Sequence, residues 1–264
     1  MNFFFLSQVA AECARYHCDK HVVKMILEYA QLLYTAHAVN SVDDESWRKR
    51  APLGGYRKTH SQHPTAIWVR TCQGNYSLLA GIAKELCSEF THRYGKQHKT
   101  EVHIDWLKDN LPQFPPPPGH DGRLPNGELP KPRKPVYFST GPLLPGTTPL
   151  PLAMPEDCYL PDACQAYRKM YLLHKRSFAT WSKRDVPTWF AEGVAHLPPL
   201  PATPKTPPKK QTDKKKTGKR KQKPRKPLKE NDDHANDDGD DDGDDDISAD
   251  YAPSAKRKKM HAHA

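Results

Sequence analysis

The sequence predicts a mainly α protein: a compact helical domain of three principal helices, a Pro-rich extended segment and a disordered C-terminal tail. Three observations predict it. Long stretches without Pro or Gly carry apolar residues at helical spacing, 15 of the 27 prolines fall within 112–161, and the chain from 199 onward consists of blocks of like charge. Proline at that density leaves no room for a central helix or sheet, and like-charge blocks bury nothing.

The elements follow in order. Phe3–Leu6 reads as a short buried strand, by its length and aromatic content. A helix should run from about Gln8 or Ala10 to His37, with no Pro or Gly inside. At 100° per residue, Val22, Met25, Ile26, Tyr29, Leu32, Leu33 and Ala36 form its apolar face, widened by Val23, Leu27 and Ala30. Asn40–His63 is polar, contains Pro52-Leu53-Gly54-Gly55, and reads as a loop. Pro64 suits the first position of a helix, with Ser61 or His63 at the cap. Gly74-Asn75 marks a break or kink. From Tyr76 the spacing of Leu79, Ile82, Ala83, Leu86, Phe90 and Tyr94 is amphipathic, and Gly95 suits the C-terminal cap. Ile104–Leu111 reads as a short helix. The segment of about 112–161 should be extended, surface-lying and partly polyproline. Asp162–Trp181 returns to helix, and Pro187-Thr188-Trp189-Phe190 follows.

Charge divides the chain. The net charge is +10, with 24 Lys/Arg and 18 Asp/Glu in 1–198, and 17 and 13 in 199–264. The tail separates into a basic block at 205–229, an acidic block at 230–250 and a basic cluster at 256–259. The basic blocks read as nuclear-localisation or polyanion-binding segments. The folded unit is therefore expected within 1–198, and 199–264 as tail. No apolar run approaches the length of a membrane span, so no membrane partner is expected. The start, Met1-Asn2-Phe3-Phe4-Phe5-Leu6, lacks the basic region of a secretory signal. The six cysteines lack the spacing of a small secreted domain, which points to reduced thiols inside a cell.

One narrow stripe on the first helix carries chemistry. His17, His21, Lys24, Glu28, Gln31 and Thr35 fall within about 80° of one another at helical geometry. A carboxylate among imidazoles and an ammonium suits acid–base work or stabilisation of a developing cation. The plain alternative is the solvated face of a helix. A metal site at Cys13, His17, Cys18 and His21 is disfavoured, because Cys18 points about 100° away from His17 on a helix. No phosphate-binding Gly loop and no nucleophile elbow occurs. The sequence thus calls for no metal and no cofactor. A second surface, Tyr56–His63 with Trp68 and Arg70, mixes cations, imidazoles and aromatics as a nucleic-acid contact does, the plain alternative being an ordinary basic surface loop; Trp47-Arg48-Lys49-Arg50 adds to it.

The stretch Cys18-Asp19-Lys20-His21-Val22-Val23-Lys24-Met25-Ile26-Leu27-Glu28 carries two resemblances. With Thr35-Ala36-His37, Thr59-His60, His63-Pro64, Ala66-Ile67-Trp68-Val69-Arg70, Thr91-His92-Arg93-Tyr94-Gly95-Lys96, Pro151-Leu152-Ala153-Met154-Pro155 and Ala166-Tyr167-Arg168, it resembles an uncharacterised family of phages and large DNA viruses. More distantly, Asp19, His21 and Glu28, a later His63 and the element Pro187-Thr188-Trp189-Phe190 look like the pyrimidine-dimer DNA glycosylases of the phage endonuclease V type. That second resemblance implies a small all-helical enzyme that attacks the sugar C1′ of a flipped nucleotide with an N-terminal amine. It implies Glu28 as the residue that stabilises charge and moves protons, and His21 as a DNA-side residue. Where the family has Thr then Arg after the initiator Met, this chain has Asn2 and Phe3, so the amine belongs to Met1 or to Asn2.

The functional expectation is a DNA-binding, base-excision-like enzyme that cleaves a nucleobase glycosidic bond, with or without abasic-site lyase activity. Glu28, His21, Met1 and Asn2 would be catalytic. His17, Lys24, Arg57, Lys58, His60, His63, Arg70 and Arg93 would hold DNA. Two alternatives stand beside it: a nucleotide or modified-base processing enzyme of a DNA virus, and a non-enzymatic viral DNA-binding accessory protein. DNA is the expected partner, and the host nucleus or a viral replication compartment the expected location.

Overall fold

The computed structural model describes residues 2–41, 43–114 and 136–200. Among them the protein is mainly helical: α1 (Ala10–Tyr16), α2 (Asp19–Asn40), α3 (Asp44–Arg50), α4 (Pro64–Thr71), α5 (Gln73–Tyr94), α6 (Glu101–Asp109), α7 (Ala163–Met170) and α8 (Thr188–Ala195). One folded unit spans Met1–Pro204. The tail from 201 on, with its charge blocks, lies outside the described residues, as do Met1 and 115–135.

Helix α2 is the hub. It packs on α4, α5 and α6, and α1 packs on α5. The face expected to be apolar is the face that is buried: Val22, Met25, Ile26, Tyr29, Leu32, Leu33 and Ala36 are all at most 1% exposed. Each of the Val, Met, Ile and Leu side chains contributes roughly 1.5–3 kcal/mol of transfer free energy. Ala30 extends that face, whereas Leu27 points outward at 38% exposure. Tyr34, Trp47 and Trp106 stack at one end, with Tyr34–Trp47 centroids 5.7 Å apart and 27° between planes.

Several elements differ from expectation for identifiable reasons. The first helix is two helices, because His17 and Cys18 are extended (ψ 133° and 164°). No strand forms at Phe3–Leu6 among the described residues; the segment runs through the core and its backbone groups bond to side chains instead of a ladder. Phe4 N donates to Tyr29 Oη at 3.2 Å, Leu6 N to Cys13 Sγ at 3.4 Å, and Arg168 Nε donates to Leu6 O at 2.9 Å. The expected loop at 40–63 contains α3, capped by Asp43, and a 3-10 turn at Pro52–Gly54. The break near Gly74 falls at Cys72 (φ −153°, ψ 161°), with Gly74 already inside α5.

Other expectations hold. His63 caps α4 by accepting from Thr65 N, Pro64 takes its first turn, and Gly95 closes α5 in the left-handed region at φ 66°. In the Pro-rich segment, residues 136–161 form only an isolated bridge, Phe138 to Pro151, and a 3-10 turn, Glu156–Cys158. This part is not merely superficial: Leu150, Leu152 and Cys158 are buried in the core. The last long helix is shorter than expected. α7 passes into a π turn at Tyr171–Lys175. No helix among the described residues is long and apolar enough to cross a membrane. All six cysteines are free thiols.

Candidate active site

Glu28 sits on the open side of α2 with its side chain 14% exposed. Two groups meet its carboxylate. Asn2 N donates to Oε2 at 3.2 Å, and Lys24 Nζ lies 3.5 Å from Oε1. Lys24 is 71% exposed, so that ion pair is weak and leaves the ammonium free to swing. The Asn2 contact is fixed from the other side. Asn2 Nδ2 donates to Ala153 O at 2.9 Å, and Asn2 Oδ1 accepts from Phe3 N at 2.8 Å and from Tyr167 Oη at 3.2 Å. A helix from late in the chain and the Pro-rich segment thus pin the start of the chain against Glu28.

The 56–63 loop lies against the same helix two turns further on. Thr35 Oγ1 donates to Thr59 O at 3.1 Å and accepts from Thr59 N at 3.3 Å. Arg57, Lys58 and His60 are exposed on this loop. His60 holds a positive φ of 46°, with its Nδ1 2.6 Å from Thr59 Oγ1. His63 is half-buried, and burial depresses its pKa to about 4, so its imidazole is neutral at physiological pH. The surface therefore offers one reachable carboxylate, a mobile ammonium, neutral imidazole and a rim of cations.

Four residues expected at the site sit elsewhere. His17 is fully buried, with Nδ1 2.7 Å from Cys13 O and Nε2 3.0 Å from Tyr29 Oη. The chain bends at His17, so the angular stripe drawn through a continuous helix does not reach it. Arg93 is buried between Glu89 and Asp19. Arg70 is 2% exposed and donates through Nη1 to Ser61 O; Nε and Nη2 have no partner among the described residues. It supports the loop from beneath. Burial lowers its pKa to about 10. His21 is 7% exposed, stacked on Phe4 at 4.2 Å, with Nδ1 bonded to Tyr171 Oη. Burial pushes its pKa well below the usual imidazole range. Trp47 and Trp68, read as contact-surface aromatics, are 2% and 3% exposed core residues. Met1 lies outside the described residues.

Sequence reasoning missed Tyr167 and Ala153, the groups that orient Asn2. Both lie in segments singled out for resemblance, but no spacing rule pairs residues 150 positions apart. Asp19 was matched for its place before His21. Its carboxylate is taken up by structural bonds, accepting from Thr180 Oγ1, Ser182 N, Ser182 Oγ and Arg93 Nη1. A single carboxylate beside a lysine is a poor metal set, so the Glu28 face offers acid–base and electrostatic chemistry. Comparison of the chain with protein-family models, curated proteins and solved structures finds no match.

Proposed function

We propose that the protein is a DNA-binding, base-excision-like enzyme that cleaves a nucleobase glycosidic bond at the Glu28 face. The observation that carries this reading is the Asn2 nitrogen 3.2 Å from Glu28 Oε2. It sets Asn2 and a carboxylate at one point, beside a loop bearing Arg57, Lys58 and His60. Cations at such a rim hold phosphates, while the carboxylate serves the extruded nucleotide.

In the amine version of the reaction, a free α-amine bonds to C1′ while the C1′–base bond breaks and its electron pair leaves with the base. The nitrogen passes a proton to Glu28, which returns it to the ring oxygen as the C1′–oxygen bond breaks and the sugar ring opens, and a protonated imine joins chain and sugar. The ionised Glu28 also stabilises the cationic charge that develops at C1′. Lys24 compensates the carboxylate between these states. His63, neutral, is a hydrogen-bond partner for the sugar or phosphate, and His21 braces Phe4 behind the site.

The experiment incubates the full chain with dimer-containing and abasic duplexes in borohydride. Base release and a trapped covalent adduct are expected, and absence of both overturns the reading. Glu28→Gln is expected to abolish turnover and leave DNA binding intact; unchanged turnover removes Glu28 from the mechanism. Intact-mass measurement of the N-terminus identifies which residue bears the amine. Deleting 199–264 separates this reading from a non-enzymatic binding protein. Turnover should survive with a shallower salt dependence of DNA affinity. Loss of all affinity in a core without turnover favours the accessory protein.

A further inference from the structure

Asp157 and Cys158 lie in the 3-10 turn Glu156–Cys158, and His174 lies in the π turn that follows α7. These are two departures from α-helical geometry, and π turns concentrate at functional sites. Here they bring three different donors together. His174 Nε2 is 3.0 Å and 3.1 Å from the two Asp157 oxygens. Cys158 Sγ lies 3.4 Å from Asp157 Oδ1. The ligand atoms of all three residues lie within 4.8 Å of one another. Asp157 and His174 open to solvent, with side chains 55% and 36% exposed, while Cys158 is buried beneath them.

We propose that Asp157, Cys158 and His174 form a binding site for a zinc-like divalent cation, with water completing its coordination. A thiolate, an imidazole and a carboxylate together favour zinc over the oxygen-seeking magnesium and calcium. Zinc bonds of about 2.0–2.3 Å place tetrahedral donors about 3.5 Å apart, so the set contracts by about 1 Å at its widest. The buried Cys158 sulfur, held beneath the Asp157 carboxylate, is a thiol that gives up its proton when it ligates a cation. On binding, Cys158 releases that proton to solvent and its sulfur bonds the metal, which gives up water ligands in exchange. The cation then ties the Pro-rich segment to the end of α7. That segment also carries Ala153, whose carbonyl holds Asn2. The site stands whether or not Glu28 is catalytic.

The test titrates the chelator-treated full chain with cobalt(II) alone. A near-ultraviolet sulfur-to-cobalt charge-transfer band should saturate at one equivalent and vanish when zinc is added. Cys158→Ser should abolish the band, and His174→Gln should weaken affinity at least tenfold. Cys72→Ser, which alters the thiol most open to solvent, should leave the band unchanged. Absence of the band in the unaltered chain, or its persistence in Cys158→Ser, overturns the site and leaves an ordinary surface His–Asp pair. His174 is at the surface, so its variant carries the test should Cys158→Ser fail to fold; undiminished cobalt affinity there also overturns it.

Discussion

Arg93 has no exposed side-chain surface, and its guanidinium meets Glu89 at 2.6 Å and Asp19 at 2.9 Å. Nη2 donates to Arg15 O at 3.0 Å, so the residue ties α5 to α1 and to the start of α2. Glu89 is 3% exposed and also binds Arg184 at 2.8 Å. Burial alone would raise the Glu89 pKa, but the bonds from Arg184 and Arg93 outweigh it and hold it low. Removing one partner from such a buried network costs about 3–5 kcal/mol, because the remaining charges lose their compensation. Arg93→Ala should therefore lower the unfolding free energy by about that amount in denaturant titration. A loss under about 1 kcal/mol would return Arg93 to the surface role its charge suggests. At this scale the site was only partly legible. The sequence singled out Glu28 and Lys24, which do meet on one face. It also placed Arg93 on DNA, although Glu89 four residues earlier was a readable sign of an ion pair. His17 was misplaced because side-chain angles were carried across a bend.

Helix α5 shows how one glycine and one asparagine serve packing where their types suggest a break. A Cβ at Gly74 would collide with the backbone oxygen of Gly146, so only glycine lets the 144–148 loop approach the first turn. Asn75 then bonds that loop, accepting from Thr148 N at 2.9 Å and donating to Thr148 Oγ1 at 2.7 Å and to Trp68 O at 2.8 Å. Gly81, about two turns further along α5, has open space where its Cβ would be. The two positions should respond oppositely to alanine. Gly81→Ala should stabilise the protein by about 0.5–1 kcal/mol, the ordinary helical gain. Gly74→Ala should destabilise it, since the clash is with backbone that must shift, costing typically 1–3 kcal/mol. Urea midpoints of the two variants moving in the same direction would contradict this account. Periodicity made the buried face of α2 and the body of α5 legible, and Gly95 the end of α5, since burial there follows the 3.6-residue repeat. Phe3–Leu6 was misread because four apolar residues do not reveal whether their backbone partners are strands or side chains. The burial of Leu150, Leu152 and Cys158 was hidden because proline density reports the absence of regular structure and nothing about contact with the core.

Across the whole folded unit, histidines are core residues as much as surface ones. His17, just past the end of α1, and His21 and His37 on α2 are all at most 7% exposed. Each ring is bonded to a neutral partner: Tyr29 Oη and Cys13 O for His17, Tyr171 Oη for His21, Tyr76 Oη for His37. None of those partners compensates a positive charge. Burial lowers the pKa of His17 and His37 to about 4 and that of His21 well below its ordinary value. In the unfolded chain the same groups titrate near 6.5. Between these values the unfolded state binds protons that the folded state refuses, so stability rises with pH and is lost as pH falls from about 6.5 toward 4. By pH 5 the loss is about 2 kcal/mol for each of His17 and His37. Asp19 and Glu89, whose pKa values are held low against burial by Ser182 and Arg184 respectively, stay ionised over this window and add their own loss only at lower pH. The unfolding free energy, read from urea titrations at fixed ionic strength, should therefore drop by several kcal/mol between pH 7 and pH 5. The same drop is expected with 199–264 removed, because the responsible imidazoles all lie in the folded unit. A flat profile over that range would mean that these rings protonate in place, and that the core around α2 is more open to water than its packing indicates.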